Sequence, residues 1–271
     1  MKTIGIIDYY VSEWHANKYD SILADACAKV GEEFKIAYAY GELDVSLYDG
    51  LTTAEWCEKH GVIPCESIKE VCERSDYVMI LAPSNPEKHL AYAREALKYG
   101  KSTFIDKTFA QNLAEAKEIY AIAEQYGTSI FSSSALRYAG EHEELAGAKH
   151  LITTGGGGNF PEYVIHQAEM AVKLFGTYAD EVEVACQGNQ RICSAKFSGG
   201  RTLTMIYAPT LSYAACAEMP DGSSVYKPMA SAYFNALMAD MLRFFLTGVP
   251  SFSKEETLAV MDLRDKALVN D

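Results

Sequence analysis

The sequence predicts a two-part α/β chain: a doubly wound parallel sheet first, then an α+β domain with an open, mostly antiparallel sheet. Three observations carry this. Short, nearly unbroken apolar runs alternate with helix-like segments as far as Ser134, the pattern of strands buried on both faces of a parallel sheet. Four of the helical segments stop at a glycine, Gly31, Gly61, Gly100 and Gly127, where a left-handed residue is wanted. Beyond residue 180, strand-like runs follow one another without helices, which favours antiparallel pairing. The first part is therefore Rossmann-like, with right-handed βαβ crossovers. It is expected over 1–135 and the second domain over 136–271, with the last helices free to pack back on the first.

In order, Thr3–Asp8 reads as a strand, Tyr19–Val30 as a helix and Phe34–Tyr40 as a second strand. Thr52–His60 is a helix, Ile63–Cys65 a short strand and Ser67–Arg74 a short helix. Tyr77–Ala82 is an apolar strand, and Asn85 followed by Pro86 is a helix start. Leu90, Ala93 and Leu97 share one face of that helix. Ser102–Asp106 is the next strand, so Lys107 sits just past the carboxyl end of a parallel strand, where open sheets place ligands. Asn112 caps a helix that ends at Gly127, and Thr128–Ser134 is the last strand of the first domain. Gly140–His150 reads as a helix, and Leu151–Thr154 as a strand running into the glycines 155–158, a flexible substrate loop. Phe160–Phe175 is a helix, and 181–227 holds four or five strands with turns at Gly188, Gly199 and Asp221. Ala230–Leu246 is an amphipathic helix, and Ser253 caps the final one.

The totals exclude several classes. With 271 residues and a formal charge of −13, the surface does not suit nucleic acid or an anionic membrane. Seven scattered cysteines include no C-x-x-C pair, which predicts a reducing, cytoplasmic setting rather than disulfides or a zinc ribbon. The N-terminus meets Asp8 too early for a secretory signal. No site for a metal is expected.

Ala82-Pro83 with His89, the helix end Ala96-Leu97-Lys98-Tyr99-Gly100-Lys101, and Asp106-Lys107-Thr108 together resemble the Gfo/Idh/MocA family. There the corresponding motifs are Thr-Pro…His, Ala-Leu-x-x-Gly-Lys and Glu-Lys-Pro. Glu162, His166 and Glu169 share one helix face and resemble the family's Asp-x-x-x-His-x-x-Asp. The resemblance implies an NAD-dependent oxidoreductase of a sugar, a polyol or a derivative, with Lys107 and His166 in an interdomain cleft. It implies His166 as base on a substrate hydroxyl, Glu162 as the acid that orients it, and Lys107 between cofactor and substrate. Such chemistry needs a base whose pKa lies near the working pH, which histidine supplies, and a donor for the oxygen that gains charge. Arg137 and Tyr138 resemble the family's Arg-Phe/Tyr pair. With Asn159 and Tyr163 they are the implied substrate side. The implied cofactor side comprises Tyr9, Tyr10 and Val11, then Tyr40, Ala82, Pro83 and His89, and finally Asp106 with Lys107. Thr108 stands where the family has a proline that is often cis. A cis bond costs about 2.5–4 kcal/mol before a non-proline residue, so a trans bond is expected.

One departure bears directly on the cofactor. A dinucleotide-binding first strand runs into G-x-G-x-x-G, whose glycines let the backbone approach a pyrophosphate. Here the turn reads Asp8-Tyr9-Tyr10-Val11-Ser12-Glu13-Trp14-His15. Either the aromatics fill the space that glycines leave open, or the site is remodelled to bind a nucleotide differently or not at all. In the latter case the chain is a cofactor-free member: a sugar-binding or regulatory subunit, or a non-redox lyase. Glu42 is the acid closest to the place expected for a ribose contact, and no arginine follows for a 2′-phosphate. The family's open sheet implies a homo-oligomer, a dimer or tetramer. Light scattering on the purified protein is expected to give a multiple of the 29.9 kDa chain mass, and a monomer would contradict it.

Overall fold

The computed structural model describes residues 1–269 and divides into two compact units. The first comprises Met1–Ser133 and Asn235–Ser251; the second comprises Ser134–Phe234 and the segment from Phe252 onward.

In the first unit a parallel sheet holds β1 (Lys2–Asp8), β2 (Phe34–Gly41), β3 (Ile63–Pro64), β4 (Tyr77–Ile80), β5 (Thr103–Ile105) and β6 (Ile130–Phe131). Their order, β3-β2-β1-β4-β5-β6, is that of a Rossmann sheet, with its reversal between β1 and β4. The strands are apolar because both faces are covered: Ile4, Ile6, Ile7, Met79, Ile80 and Phe104 are fully buried. The helices are α1 (Trp14–Val30), α2 (Thr53–His60), α3 (Ile68–Arg74), α4 (His89–Ala96) and α5 (Leu113–Tyr126). Gly31, Gly61 and Gly127 close α1, α2 and α5 with positive φ, as their positions suggested.

Several boundaries differ from expectation; the strand expected over Thr128–Ser134, for one, is reduced to β6. Helix α1 starts at Trp14, five residues early, because the side chain of Glu13 caps it. Strand β4 stops at Ile80 rather than Ala82, since Ala82 turns to a φ of 51°. Asn85 makes no side-chain cap; the chain passes through a short 3-10 turn, Pro86–Lys88, before α4.

The second unit holds α6 (His142–Leu145), β7 (His150–Gly155), α7 (Phe160–Phe175), then β8 (Ala179–Gln187), β9 (Gln190–Phe197), β10 (Arg201–Tyr207), β11 (Ala214–Glu218) and β12 (Ser224–Pro228). The sheet order is β12-β11-β7-β10-β9-β8. All its pairings are antiparallel except β7 with β10. The helix expected over Gly140–His150 is reduced to α6: the chain leaves helical geometry at Ala146, and Gly147 takes a φ of 83°. Two helices complete the chain, α8 (Tyr233–Thr247) and α9 (Lys254–Val269). From Asn235 on, α8 belongs to the first unit and α9 to the second. Phe244 of α8 is buried with its ring 5.4 Å from that of Phe131, and Phe245 stacks on Tyr77 at 4.9 Å. Helix α8 is thus core of the first unit despite its place in the sequence. Phe244→Ala is expected to destabilise by about 3–5 kcal/mol, read as a lower midpoint in urea unfolding.

Candidate functional site

At the carboxyl edge of the parallel sheet, β1 ends on Asp8, whose carboxylate is buried. Its Oδ1 accepts from the N–H groups of Tyr9 at 2.7 Å and Ala82 at 3.0 Å, while Oδ2 has no partner. The turn that follows is tied to the segment after β2. The N–H of Glu42 donates to Asp8 O and that of Leu43 to Tyr9 O. Ser46 Oγ donates to Ser12 O, and Ser12 Oγ to Asp49 Oδ2 at 2.7 Å. Gly41 is required here, because a Cβ would lie 2.8 Å from Thr53 Oγ1.

Glu13 then turns its carboxylate onto the first N–H groups of α1: Oε2 accepts from His15 N at 2.6 Å and Oε1 from Ala16 N. The side chain of His15 reaches the end of β5, where Nδ1 meets Asp106 Oδ2 at 2.5 Å. Asp106 Oδ1 also accepts from Lys107 N at 2.8 Å and Tyr19 Oη at 3.3 Å. Burial opposes the charge on Asp106, but His15 and Lys107 outweigh it and hold its pKa below the usual carboxylate value. Asp8 goes the other way: burial, then the charge of Glu13, push it well above that range. Burial raises Glu13 too, against the pull of His15 and of the two N–H donors. Of this pair Asp8 is raised the further, its Oδ2 being unpaired while both oxygens of Glu13 are bonded.

The remaining predicted residues of this unit take varied positions. Tyr9 and Tyr10 are half-buried with rings 5.8 Å apart, Tyr40 is half-buried, and Val11 is buried. His89 is fully buried, its ring nitrogens against Leu81 O at 2.5 Å and Phe109 O at 3.2 Å. It braces the turn after β4, and burial lowers its pKa. Lys107 donates from Nζ to Pro83 O at 3.1 Å. The Lys107–Thr108 bond is cis, against the expected trans form. That expectation weighed only the local preference, whereas Asp106, Lys107 and Thr108 are all enclosed by tertiary neighbours. Both oxygens of Glu42 are engaged, Oε1 by Lys88 Nζ at 2.5 Å and Oε2 by Tyr92 Oη at 2.7 Å.

The second unit assembles a different group around α7. Asn159 caps it, accepting from Glu162 N at 2.9 Å, and Asn159 Nδ2 donates to Glu162 Oε2 at 3.1 Å. One turn on, His166 Nδ1 lies 2.7 Å from Ser134 Oγ. The rings of Tyr163 and Tyr213 stand edge-on to it at 5.7 and 5.5 Å. Ser134 N–H donates to Glu169 Oε1 at 3.0 Å, and Glu169 Oε2 pairs with Arg137 at 3.3 Å. Arg137 also pairs with Glu256 and covers the Phe252 ring at 3.7 Å. The Arg137 guanidinium is buried in this network, where it anchors Glu169 and Glu256, and the residue also borders the groove described next. Tyr138 lines an open groove of about 510 Å³ with Gly140, His142 and Lys173. The glycine run 155–158 is not a loose loop. A Cβ at Gly156 would lie 2.2 Å from Ala208 O, and Tyr207 and Tyr213 donate to the carbonyls of Gly157 and Gly156. Ser134 and Tyr213 were missed from sequence: a serine after a strand and a tyrosine in a polar run carry no motif.

A family model described as "Oxidoreductase family, NAD-binding Rossmann fold" matches residues 42–133. An uncharacterized oxidoreductase of Escherichia coli K12, YhhX, is 32% identical over 63 residues. That stretch is 23% of this chain and spans only 18% of the relative's own length. The fold is shared end to end with UDP-N-acetylglucosamine 3-dehydrogenase GnnA from Acidithiobacillus ferrooxidans: TM-score 0.81, 13% identity, 99% of this chain and 97% of that one. A myo-inositol dehydrogenase from Corynebacterium glutamicum gives TM-score 0.75 at 12% identity, over 100% and 96% of the two chains. The match to the Gfo/Idh/MocA family model thus covers part of the first unit's Rossmann-like sheet. The family match begins at Glu42, after β1, the turn, all of α1 and β2.

The family's Rossmann domain is NAD-binding by description, and a dinucleotide in such a domain rests its pyrophosphate on the N–H groups opening the first helix. In this chain those of His15 and Ala16 already hold the Glu13 carboxylate. The residues present do not fit a pyrophosphate at that place. The acid pair has a consequence for stability. Asp8 binds a proton in the folded state that the unfolded chain releases near pH 4 (about 3.9 for a free aspartate). Stability therefore falls as pH rises from there through the raised folded pKa. Asp8→Asn is expected to flatten this decline, read as the melting temperature between pH 4 and 8.

Proposed function

We propose that this protein is an enzyme acting on a sugar, a polyol or a derivative, in the oxidoreductase class of its family, with His166 as the base that takes the substrate's proton. The observation that carries this reading is the contact between His166 Nδ1 and Ser134 Oγ at 2.7 Å. It holds a half-exposed imidazole in one orientation on α7, between the rings of Tyr163 and Tyr213. Ser134 is itself fixed through Glu169, so it acts as a positioning residue for His166. Glu162, one turn earlier on α7, contributes a half-exposed carboxylate to the same helix face. Lys107 supplies a cation with three donors, one of them given to Pro83 O. Its role is to stabilise the substrate oxygen as the proton leaves. Asn159, Tyr163 and Tyr138 are assigned to the substrate side. NAD is the cofactor that the family implies, and no step through it follows from these residues.

A second reading is favoured by the Glu13 cap: a cofactor-free member that binds a sugar, or removes a proton from it in an elimination, with the same histidine as base. Three measurements separate these readings. A panel of sugars and polyols is assayed at the nicotinamide absorbance band with NAD⁺ and NADP⁺, by product analysis without added cofactor, and for binding by calorimetry. His166→Ala is expected to lower turnover about 10²–10⁴-fold, with the substrate still bound, and Ser134→Ala to shift the pH profile with a smaller loss. Full turnover in His166→Ala rejects the assignment. Binding without any turnover in the wild type leaves only the binding-module reading.

A further inference from the structure

We propose that the carboxylate of Glu13 is a built-in anion that stands in for a dinucleotide pyrophosphate at the N-terminus of α1, so that this chain does not seat NAD(H) or NADP(H) there. The inference is independent of the role given to His166.

Several observations converge on it. The donors that a pyrophosphate would use, the N–H groups of His15 and Ala16, are both bonded to Glu13. The Glu13 side chain is not an exposed cap that swings aside: the residue is 4% exposed. The first turn that it caps is also pinned through His15 to Asp106 at the end of β5. The turn leading to it is closed from the other side, where Glu42 and Leu43 bond to Asp8 and Tyr9, and Ser46 and Asp49 to Ser12. A phosphate would have to displace this cover as well as the carboxylate. Finally, the acid placed to receive a ribose, Glu42, has both oxygens taken by Lys88 and Tyr92. Lys88 also lies 4.7 Å from the centre of the Tyr9 ring, over the same turn.

Electrostatics reinforces the geometry. A helix N-terminus favours one negative group through its aligned dipoles and open N–H groups. Once a carboxylate is bonded there, a second anion meets repulsion in a site shielded from water. The glycines that other dinucleotide sites use for backbone approach are absent from this turn, which carries Tyr9, Tyr10 and Val11, the last of them buried against Gly41. The fold of the cofactor domain is thus retained, with its phosphate seat converted into an internal cap.

The test uses the full chain. Calorimetric titration of the wild type with NADH, NAD⁺ and NADP⁺ is expected to show no saturation up to about 1 mM. In parallel, inorganic pyrophosphate is titrated against the wild type and Glu13→Ala, with ionic strength matched by chloride. Glu13→Ala opens the two N–H groups and is expected to bind pyrophosphate at least about tenfold more tightly than the wild type, with a matching rise in melting temperature. Saturable submillimolar binding of a dinucleotide by the wild type overturns the proposal, whether or not Glu13→Ala folds. A folded Glu13→Ala whose pyrophosphate response equals that of the wild type overturns it equally. A wild type that binds NADH and turns over a sugar through His166 refutes this inference alone and leaves the His166 assignment standing.

Discussion

A carboxylate hydrogen-bonded to the first turn of α1 is the contact on which the rest of the first unit's ligand edge depends. An uncapped helix leaves N–H groups that must find partners, and in a doubly wound sheet the start of α1 points at the place where ligands bind. By meeting that need with Glu13, the chain settles several neighbours at once. Helix α1 begins at Trp14, which brings His15 within reach of Asp106. Asp106 in turn holds the backbone N–H of Lys107. Asp8 is left buried beside an acidic neighbour, which pushes its pKa well above the usual carboxylate range. A single capping choice is transmitted from β1 to the end of β5 through short, buried hydrogen bonds.

The second unit solves a different problem. It must hold one imidazole half-exposed while burying a carboxylate next to an arginine. Ser134 serves both, with its hydroxyl on His166 and its N–H on Glu169. Burial raises the pKa of Glu169, while Arg137 and that N–H pull it back toward the charged form. Burying such a pair is tolerable because its hydrogen-bonding capacity is met. Arg137 reaches both Glu169 and Glu256, and its flat face rests on Phe252. Ser253 still caps the N–H of Glu256, but the Glu256 carboxylate pairs with Arg137 rather than completing a capping box. The network therefore locks the start of α9 to the helix that carries His166.

Much of this was legible in the residues. The parallel sheet, its glycine-closed helices, the change to antiparallel strands and the family resemblance all follow from local pattern. So does the absence of a glycine-rich turn after β1. Periodicity, helix stops and motif spacing are properties of consecutive residues, and they survive folding unchanged. The expected helix over Gly140–His150 failed for the complementary reason. Its composition allowed a helix, but Gly147 takes a left-handed turn and His150 is claimed by the sheet.

Tertiary structure alone decided what each charged group does. Arg137 and His89 read locally as ligand contacts, and their partners inside the fold, Glu256 and Phe109, lie 119 and 20 residues away. Ser134 lies 32 residues from His166 and carries no motif of its own. Glu13 was visibly acidic in the sequence, yet only the path of the chain shows its carboxylate on the N–H groups of α1. Sequence by itself determined the frame, since strand and helix patterns are local. Which anions the frame accepts was decided by hydrogen bonds between residues brought together only when the sheet closes.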